Sequence, residues 1–562
     1  MKKQVSLWTA SALIICSLLI GVGVDRVISG DSLFEQLDKY SKVLSLTQKF
    51  YVDQVDVAKL NEAAINGLLG QLDPHSVYMP PKVNQQEAEQ FQGSYQGVGM
   101  QIVAQNDTIM VAEPMGGSPA ARIGILSNDK IVKINDSTAI GLTTEQASKK
   151  LRGPKGTKVT VTIARPGVPD PLVYEITRDV IALTSIDVAL MLNDDVGYVS
   201  VNRFSATTSQ ELADSLGKLA SQGMKELVLD LRDNPGGYMD QAVKIADMFL
   251  DSGSTPRKIV YTKSRNGEMD EAYYAKSGDA YEKLPLIVLI SNASASASEI
   301  VSGAIQDWDR GLIVGETSFG KGLVQRQWDL QDGSAVRLTI ARYFTPSGRL
   351  IQRSYSGKDK DEYMREAFQR NEQEGDNLDH TKDSLIAKGL LSAKDSTMRS
   401  DSTKPQFKTA GGRIVFGGGG ITPDYIVKPM ELTQVTENMM RRDYFYQFVT
   451  NYVQGEGSQL RAKYGADVKG FVDTYKVPDE VIKEYRSFVE KKGLPVSDSS
   501  FQKDEKFIGS RLKGYIARDF WNDTGWYMTM REIDTQLNKA LTLFPEAKKI
   551  AGLVEPMGKG KN

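Results

Sequence analysis

Cysteine is all but missing from this chain of 562 residues: Cys16 is the only one, and it lies in an apolar stretch near the N-terminus. A disulfide framework within one chain is thereby excluded, as are a Cys-based metal site and a thiol nucleophile in the folded core. Histidine is nearly as scarce, with His75 and His380 alone. A Ser-His-Asp triad needs an imidazole beside the hydroxyl, itself oriented by a carboxylate. His75 sits in the early turn Asp73-Pro74-His75-Ser76-Val77-Tyr78, where bonding to local backbone is expected, and His380 sits in a charge-dense stretch. Neither suits a triad. No His/Asp/Glu cluster has the spacing of a zinc site, and no cofactor is expected. Net charge is lacking too: 69 basic residues face 71 acidic ones, which gives no general attraction to nucleic acid. The G-x-G-x-x-G and Walker patterns are absent, which disfavours nucleotide binding.

Only one run is long and apolar enough to meet a membrane. It extends from about Leu7 to Val24 behind Met1-Lys2-Lys3, and reads as a signal peptide or an uncleaved anchor over residues 1–28. No small-x-small cleavage site follows it, so an anchor with the body translocated is the expectation. That makes the protein exported, in the periplasm or cell envelope, held at the inner membrane by this segment. Lipidation of Cys16 is disfavoured by the bulky Ile15 before it.

The body has an ordinary globular composition, 40% hydrophobic and 25% charged, and a length for three or four domains. Residues 31–90 carry apolar side chains at helical spacing, among them Leu33, Leu37, Tyr40, Val43, Leu60, Ala64 and Leu68, with Asp73-Pro74 closing the last helix. Residues 91–179 change to short strands and glycines. There, Gly97-Val98-Gly99 runs into a strand at Met100-Gln101-Ile102-Val103, and Thr143 or Thr144 caps a helix ending at Leu151. Residues 180–356 and 405–431 alternate strands and helices, which predicts an α/β core. Residues 357–404 are charged and poor in apolar side chains, and read as a surface insertion, partly disordered or loosely helical. Residues 432–562 are aromatic-rich and helical, with Pro478 expected as a first helical residue.

Two stretches of the α/β region carry chemistry. The apolar strand Leu284 to Ile290 breaks into Ser291-Asn292-Ala293-Ser294-Ala295-Ser296-Ala297-Ser298, and a helical pattern begins at Glu299. A second strand, Leu312 to Val314, leads into Gly315-Glu316-Thr317-Ser318-Phe319-Gly320-Lys321-Gly322. One turn thus offers hydroxyls and one loop an amine. Without a suitable histidine or cysteine, a serine nucleophile with a lysine base is what remains. Such a lysine works only if burial or a nearby cation lowers its pKa by several units. If the chain is extended from Lys321 to Gln325, both side chains share a face, and Gln325 can orient the amine without adding charge. The local pattern does not choose among Ser294, Ser296 and Ser298. A third stretch, Leu229-Asp230-Leu231-Arg232-Asp233-Asn234-Pro235-Gly236-Gly237, is a glycine turn entering a helix, which aims free N–H groups at one point.

The phrases GSPAARIGILSNDKIVKIN and LRGPKGTKVTVTIAR resemble PDZ domains of bacterial proteases. The Asp73-Pro74-His75 turn, the LDLRDNPGG turn, the serine run and the GETSFGKGLVQ loop, in this order, resemble the carboxy-terminal processing (tail-specific) protease family over roughly Leu33 to Pro429. The resemblance implies a multidomain α/β fold in which a PDZ β-domain precedes a crotonase/ClpP-like α/β protease core, with helical N- and C-terminal regions. It implies a serine endopeptidase that cuts exported proteins near their C-termini. Its nucleophile falls on Ser296, its base on Lys321 and its supporting glutamine on Gln325, and the oxyanion hole on the N–H groups of Gly237 and Ala297. In the PDZ domain, Gly97, Val98, Gly99, Met100 and Ile102 are expected to take a free, apolar substrate C-terminus by strand addition. A homo-oligomer or an adaptor protein is a further expected partner. Two other readings stand beside it: a catalytically inactive PDZ scaffold or chaperone of the envelope, and a crotonase-like acyl-transfer enzyme.

Overall fold

The computed structural model describes residues 33–105, 107–276, 278–370 and 404–553. The N-terminal apolar run with Cys16, and His380 in the charged stretch, lie outside these residues. Among the described residues, no helix is long and apolar enough to cross a membrane.

The chain divides into two compact units, one ending at Tyr78 and the other starting at Met79. The first holds the helices Leu33–Phe50 and Val57–Leu69. Asp56 caps the second by accepting from the Ala58 and Lys59 amides, and the helix stops at Gly70, ahead of the expected Asp73-Pro74 stop. The turn after it is closed by Asp73, whose carboxylate accepts from the His75 and Ser76 amides and the Ser76 hydroxyl.

In the second unit, residues 94–182 form the small β-domain that the glycine texture predicts. Strands Met100–Gln105, Thr108–Pro114, Lys130–Ile134, Lys158–Ala164 and Leu172–Thr177 pair antiparallel in that order. They alternate as a half-buried sheet should: Val159, Val161 and Ile163 point into a core shared with Ile109, Val111, Ile131 and Ile176. Helix Thr144–Leu151 closes that core with Ala147 and Leu151, and a reciprocal Thr143–Gln146 capping box starts it.

The α/β core is a six-stranded sheet in the order Ile186–Met191, Val196–Val201, Glu226–Asp230, Leu286–Ile290, Leu312–Gly315, Tyr425–Ile426. All pairings but the first are parallel. Its strands are continuously apolar because both faces are covered. Leu227, Leu229, Leu286, Val288 and Ile313 face the helices Thr208–Ser221, Met239–Asp247 and Ala297–Asp307. Val228, Ile287, Leu289, Leu312 and Val314 face Leu537, Ala540, Phe544 and Ala547 of the last two described helices. A second, antiparallel sheet pairs Leu323–Asp329 with Ala335–Phe344 and the latter with Lys258–Ser264.

The charged stretch, expected as a surface insertion that is partly disordered or loosely helical, begins with a helix that packs inward. Lys360–Phe368 is a helix capped by Asp359, and its Tyr363 and Ala367 are fully buried. The C-terminal region is helical with its own aromatic core, including Phe445, Phe471 and Tyr485. Pro478 stands one place earlier than expected, as the N-cap of Asp479–Lys491.

Candidate active site

Ser296 occupies the strand-to-helix turn as N-cap of Ala297–Asp307, with φ 53° and ψ −110°. A positive φ on a residue with a Cβ is costly and persists only where the surroundings dictate it. Here they do. The Ser296 amide donates to Glu299 Oε2 at 2.7 Å, and its carbonyl accepts from the Tyr343 hydroxyl at 3.1 Å. On its other side lies Gly236, where a Cβ would stand 2.8 Å from Ser296 Cβ and 2.9 Å from Ala297 N. Its neighbours in the triplet are engaged elsewhere. Ser294 donates to the Leu231 carbonyl at 2.7 Å and Ser298 to the Asn234 carbonyl at 2.9 Å, and both side chains are fully buried. Ser296 alone of the three is partly exposed.

Lys321 lies in the loop between the strands Leu312–Gly315 and Leu323–Asp329. Its Nζ donates to Gln325 Oε1 at 2.8 Å, the pairing that an extended chain predicts, although the strand itself starts only at Leu323. The flanking glycines fix the loop. The Gly322 amide donates to Gln352 Oε1 at 2.9 Å, and the Gly320 carbonyl accepts from the Arg353 amide at 2.9 Å.

One carboxylate joins these two segments. Glu299 Oε2 accepts from both the Ser296 amide (2.7 Å) and the Lys321 amide (2.9 Å), while Oε1 accepts from the Gly320 amide (2.7 Å) and the Ser318 hydroxyl (2.5 Å). Glu299 is fully buried, and burial pushes its carboxyl above the usual range against the pull of those four donors. Tyr343 makes a second tie, its hydroxyl lying against the carbonyls of Ser296 and Lys321. Burial and the nearby Glu299 hold this phenol far above its ordinary range, so it stays a neutral donor. Sequence reasoning passed over both residues. Ser296 and Glu299 have the S-x-x-E spacing of a capping box, a signal for half of the Glu299 role. Tyr343 carried none.

The LDLRDNPGG turn lies beside the serine. Asn234 organises it: its carbonyl accepts from the Ala295 amide at 3.0 Å, its Oδ1 from the Gly236 amide at 2.9 Å, and its Nδ2 donates to the Val201 carbonyl at 2.8 Å. Gly236 has φ 98°, and a Cβ on Gly237 would stand 2.0 Å from the Phe204 carbonyl oxygen, so neither position admits a side chain. Arg232 ties this strand end to the last helices, donating to Asp230, Asp534 and Gln536.

In the β-domain, Gly97 ends the strand Ser94–Gly97 and Met100 begins the next. The Val98 carbonyl accepts from the Ala120 amide, and the Gly99 carbonyl from the Met115 amide and the Ser118 hydroxyl. Val98 and Met100 are buried and Ile102 is partly buried against the same core. Among the described residues, no group of three or more His, Cys, Asp or Glu is placed to hold a metal ion.

Family models match four segments of the chain. The chain matches the model of peptidase family S41 over residues 195–363 and that of the PDZ domain over residues 89–164. The N-terminal domain of the activating protease CtpB matches residues 24–83, and a family of unknown function matches residues 435–522. A carboxy-terminal-processing protease of Bartonella bacilliformis is 38% identical over 356 residues, which cover 63% of this chain and 81% of that one. The carboxy-terminal processing protease CtpA of Bacillus subtilis is 34% identical over 334 residues, covering 59% and 69%. Among solved structures, the photosystem II D1 C-terminal processing protease is 30% identical, covers 55% of this chain and 82% of its own, and has a TM-score of 0.31. The chain belongs to the carboxy-terminal processing proteases, PDZ-containing serine-type peptidases of family S41.

Proposed function

We propose that this protease cuts exported polypeptides near their C-termini with a Ser296–Lys321 dyad. The observation that carries the reading is the single Glu299 oxygen that accepts from both the Ser296 and Lys321 amides, with Lys321 Nζ held on the neutral Gln325. Neutral Lys321 takes the proton from Ser296 Oγ, which attacks the scissile carbonyl. The N–H groups of Gly237 and Ala297 receive the negative charge on the oxygen. The Gly236 amide is already spent on Asn234, which favours Gly237 as the donor from this turn. The C–N bond then breaks, the Lys321 ammonium returns its proton to the leaving amine, and Ser296 keeps the acyl group. Lys321 then takes a proton from water, whose oxygen attacks the acyl carbon, and gives that proton to Ser296 Oγ as the ester bond breaks.

The PDZ domain supplies the tail preference. The chain from Gly97 through Val98 and Gly99 offers backbone N–H groups to a terminal carboxylate, and the strand from Met100 through Ile102 adds the substrate as a further strand. The N-terminal apolar segment directs the protein out of the cytoplasm and holds it at the membrane.

Incubating the purified chain with a denatured polypeptide tests the reading. Cleavage is expected from wild type and from neither Ser296→Ala nor Lys321→Ala, and an active Ser296→Ala would overturn the dyad. Amidating the C-terminus of the substrate is expected to weaken binding to the full-length Ser296→Ala variant. Equal binding of free and amidated tails removes carboxylate capture.

A further inference from the structure

The loop that carries Lys321 is held from below by a segment that the S41 match barely reaches. Arg370 follows the helix Lys360–Phe368 and spreads its guanidinium over four backbone carbonyls. Nη1 donates to Ser318 at 2.8 Å, to Gly419 at 3.0 Å and to Thr317 at 3.4 Å, and Nη2 donates to Phe319 at 2.8 Å. Three of these carbonyls belong to the residues two to four places before Lys321. Ser318 and Thr317 are buried, where a carbonyl without a donor would cost free energy.

The same helix reaches the other side of the lysine. Buried Tyr363 accepts from Gln352 Nε2 at 3.0 Å, and Gln352 Oε1 accepts from the Gly322 amide at 2.9 Å. Phe319 packs edge-on against Tyr363, and the Arg353 guanidinium stacks between the two rings, 4.1 Å from the Tyr363 centroid and 4.8 Å from that of Phe319. Residues on both sides of Lys321 are therefore referenced to one short helix and the arginine that follows it. A lysine has one ammonium and cannot span carbonyls that a planar five-donor fork serves.

We propose that Arg370 is a positioning residue for the general base: it fixes residues 317–319 and so sets where the Lys321 amine stands relative to Ser296. The proposal rests on the Ser296–Lys321 reading above. It does not require Arg370 to touch substrate.

The test compares full-length wild type, Ser296→Ala, Arg370→Ala and Arg370→Lys on a denatured polypeptide. It reads kcat, KM and the pH–rate profile, with and without methylguanidinium. In Arg370→Ala, kcat is expected to fall about ten- to hundredfold, the scale of a misplaced catalytic group, while KM moves little. Added methylguanidinium should restore part of that loss in Arg370→Ala and nothing in wild type, and Arg370→Lys should remain impaired. Arg370→Ala with kcat within about twofold of wild type and an unchanged pH profile overturns the proposal. So does a loss that methylguanidinium cannot repair and that tracks a fallen unfolding midpoint, since that is a purely structural role. An active Ser296→Ala would instead overturn the dyad, whatever Arg370 does.

Discussion

Replacing Glu299 measures what its four hydrogen bonds are worth. In Glu299→Gln one oxygen becomes an NH2 group, and the amide has two ways to lie. Facing Ser296 and Lys321, the NH2 would confront two amide donors that cannot change role. Facing Ser318 and Gly320, it meets a hydroxyl that already accepts from the Ile421 amide and can accept once more by turning its proton away, so the Gly320 amide and that proton both lose their acceptor. The second arrangement is cheaper and keeps the remaining oxygen on the Ser296 and Lys321 amides. With one amide and one rotatable hydroxyl deprived of an acceptor, a loss of about 2–3 kcal/mol is expected in Glu299→Gln, with turnover largely retained. Glu299→Ala deprives all four donors, and even with water entering, a loss of about 4 kcal/mol or more is expected, with turnover abolished. Urea unfolding gives the stabilities, provided the m-values agree, and cleavage is measured at matched concentrations of folded protein. If the alanine variant matches the glutamine variant in both, the carboxylate does not tie nucleophile to base.

Ser294→Ala and Ser298→Ala should each still cleave while Ser296→Ala does not. Ser294→Ala leaves the buried Ser291 amide without its acceptor, so urea unfolding should show a loss of about 1–3 kcal/mol, while Ser298→Ala removes one of two donors to the Asn234 carbonyl and should cost about 0.5–1.5 kcal/mol. Gly99→Ala should lower stability by about 2 kcal/mol or more, because φ is +75° and the new Cβ would lie 2.3 Å from Ser118 Cβ. Its binding of a fluorescent peptide with a free C-terminus should fall too, and unchanged melting with unchanged binding would refute the tight packing of this turn. Where the PDZ domain meets the C-terminal helices, burial raises the carboxyl pKa values of Glu113, with Asp523 adding and Arg518 opposing, and of Asp519, opposed by Arg461. A raised folded-state value means stability that is complete below the ordinary carboxylate range, about pH 4, and is lost as pH rises through the raised values. Hydrogen exchange of the strands around Gln101 and Glu113, corrected for intrinsic rate, should therefore be better protected at mildly acidic than at alkaline pH. Protection that rises with pH would reverse the sign.

The parts of this site written in local pattern were readable beforehand. Continuously apolar runs announced the buried strands of an α/β core, and the Gly-Gly turn after Leu231 announced N–H groups aimed at one point. Scarcity did as much as presence, since two poorly placed histidines left a lysine as the proposed base. What stayed hidden depends on distant partners. Three serines two residues apart look alike until the Leu231 and Asn234 carbonyls, more than sixty positions earlier, engage two of them. Glu299 reads as a helix cap, and its bonds to Gly320 and Lys321 follow from the sheet bringing two loops together. That the helix Lys360–Phe368 packs inward stayed hidden because it buries only Tyr363 and Ala367, too few apolar positions to register against its charge.

The sheet's second face has a consequence for the order in which the protease comes into being. Val228, Ile287, Leu289 and Val314 are covered by Leu537, Ala540, Phe544 and Ala547, from helices some two hundred or more residues downstream. Asp534, which grips Arg232 at the head of the glycine turn, arrives with them. A chain emerging from its N-terminus during synthesis has both Ser296 and Lys321 outside long before that face is closed. Contacts of such sequence separation form late, since loop closure must come before they can stabilise anything. Delay of this kind would keep a nascent protease from acting on neighbouring unfolded chains, itself included, until its own last helices dock.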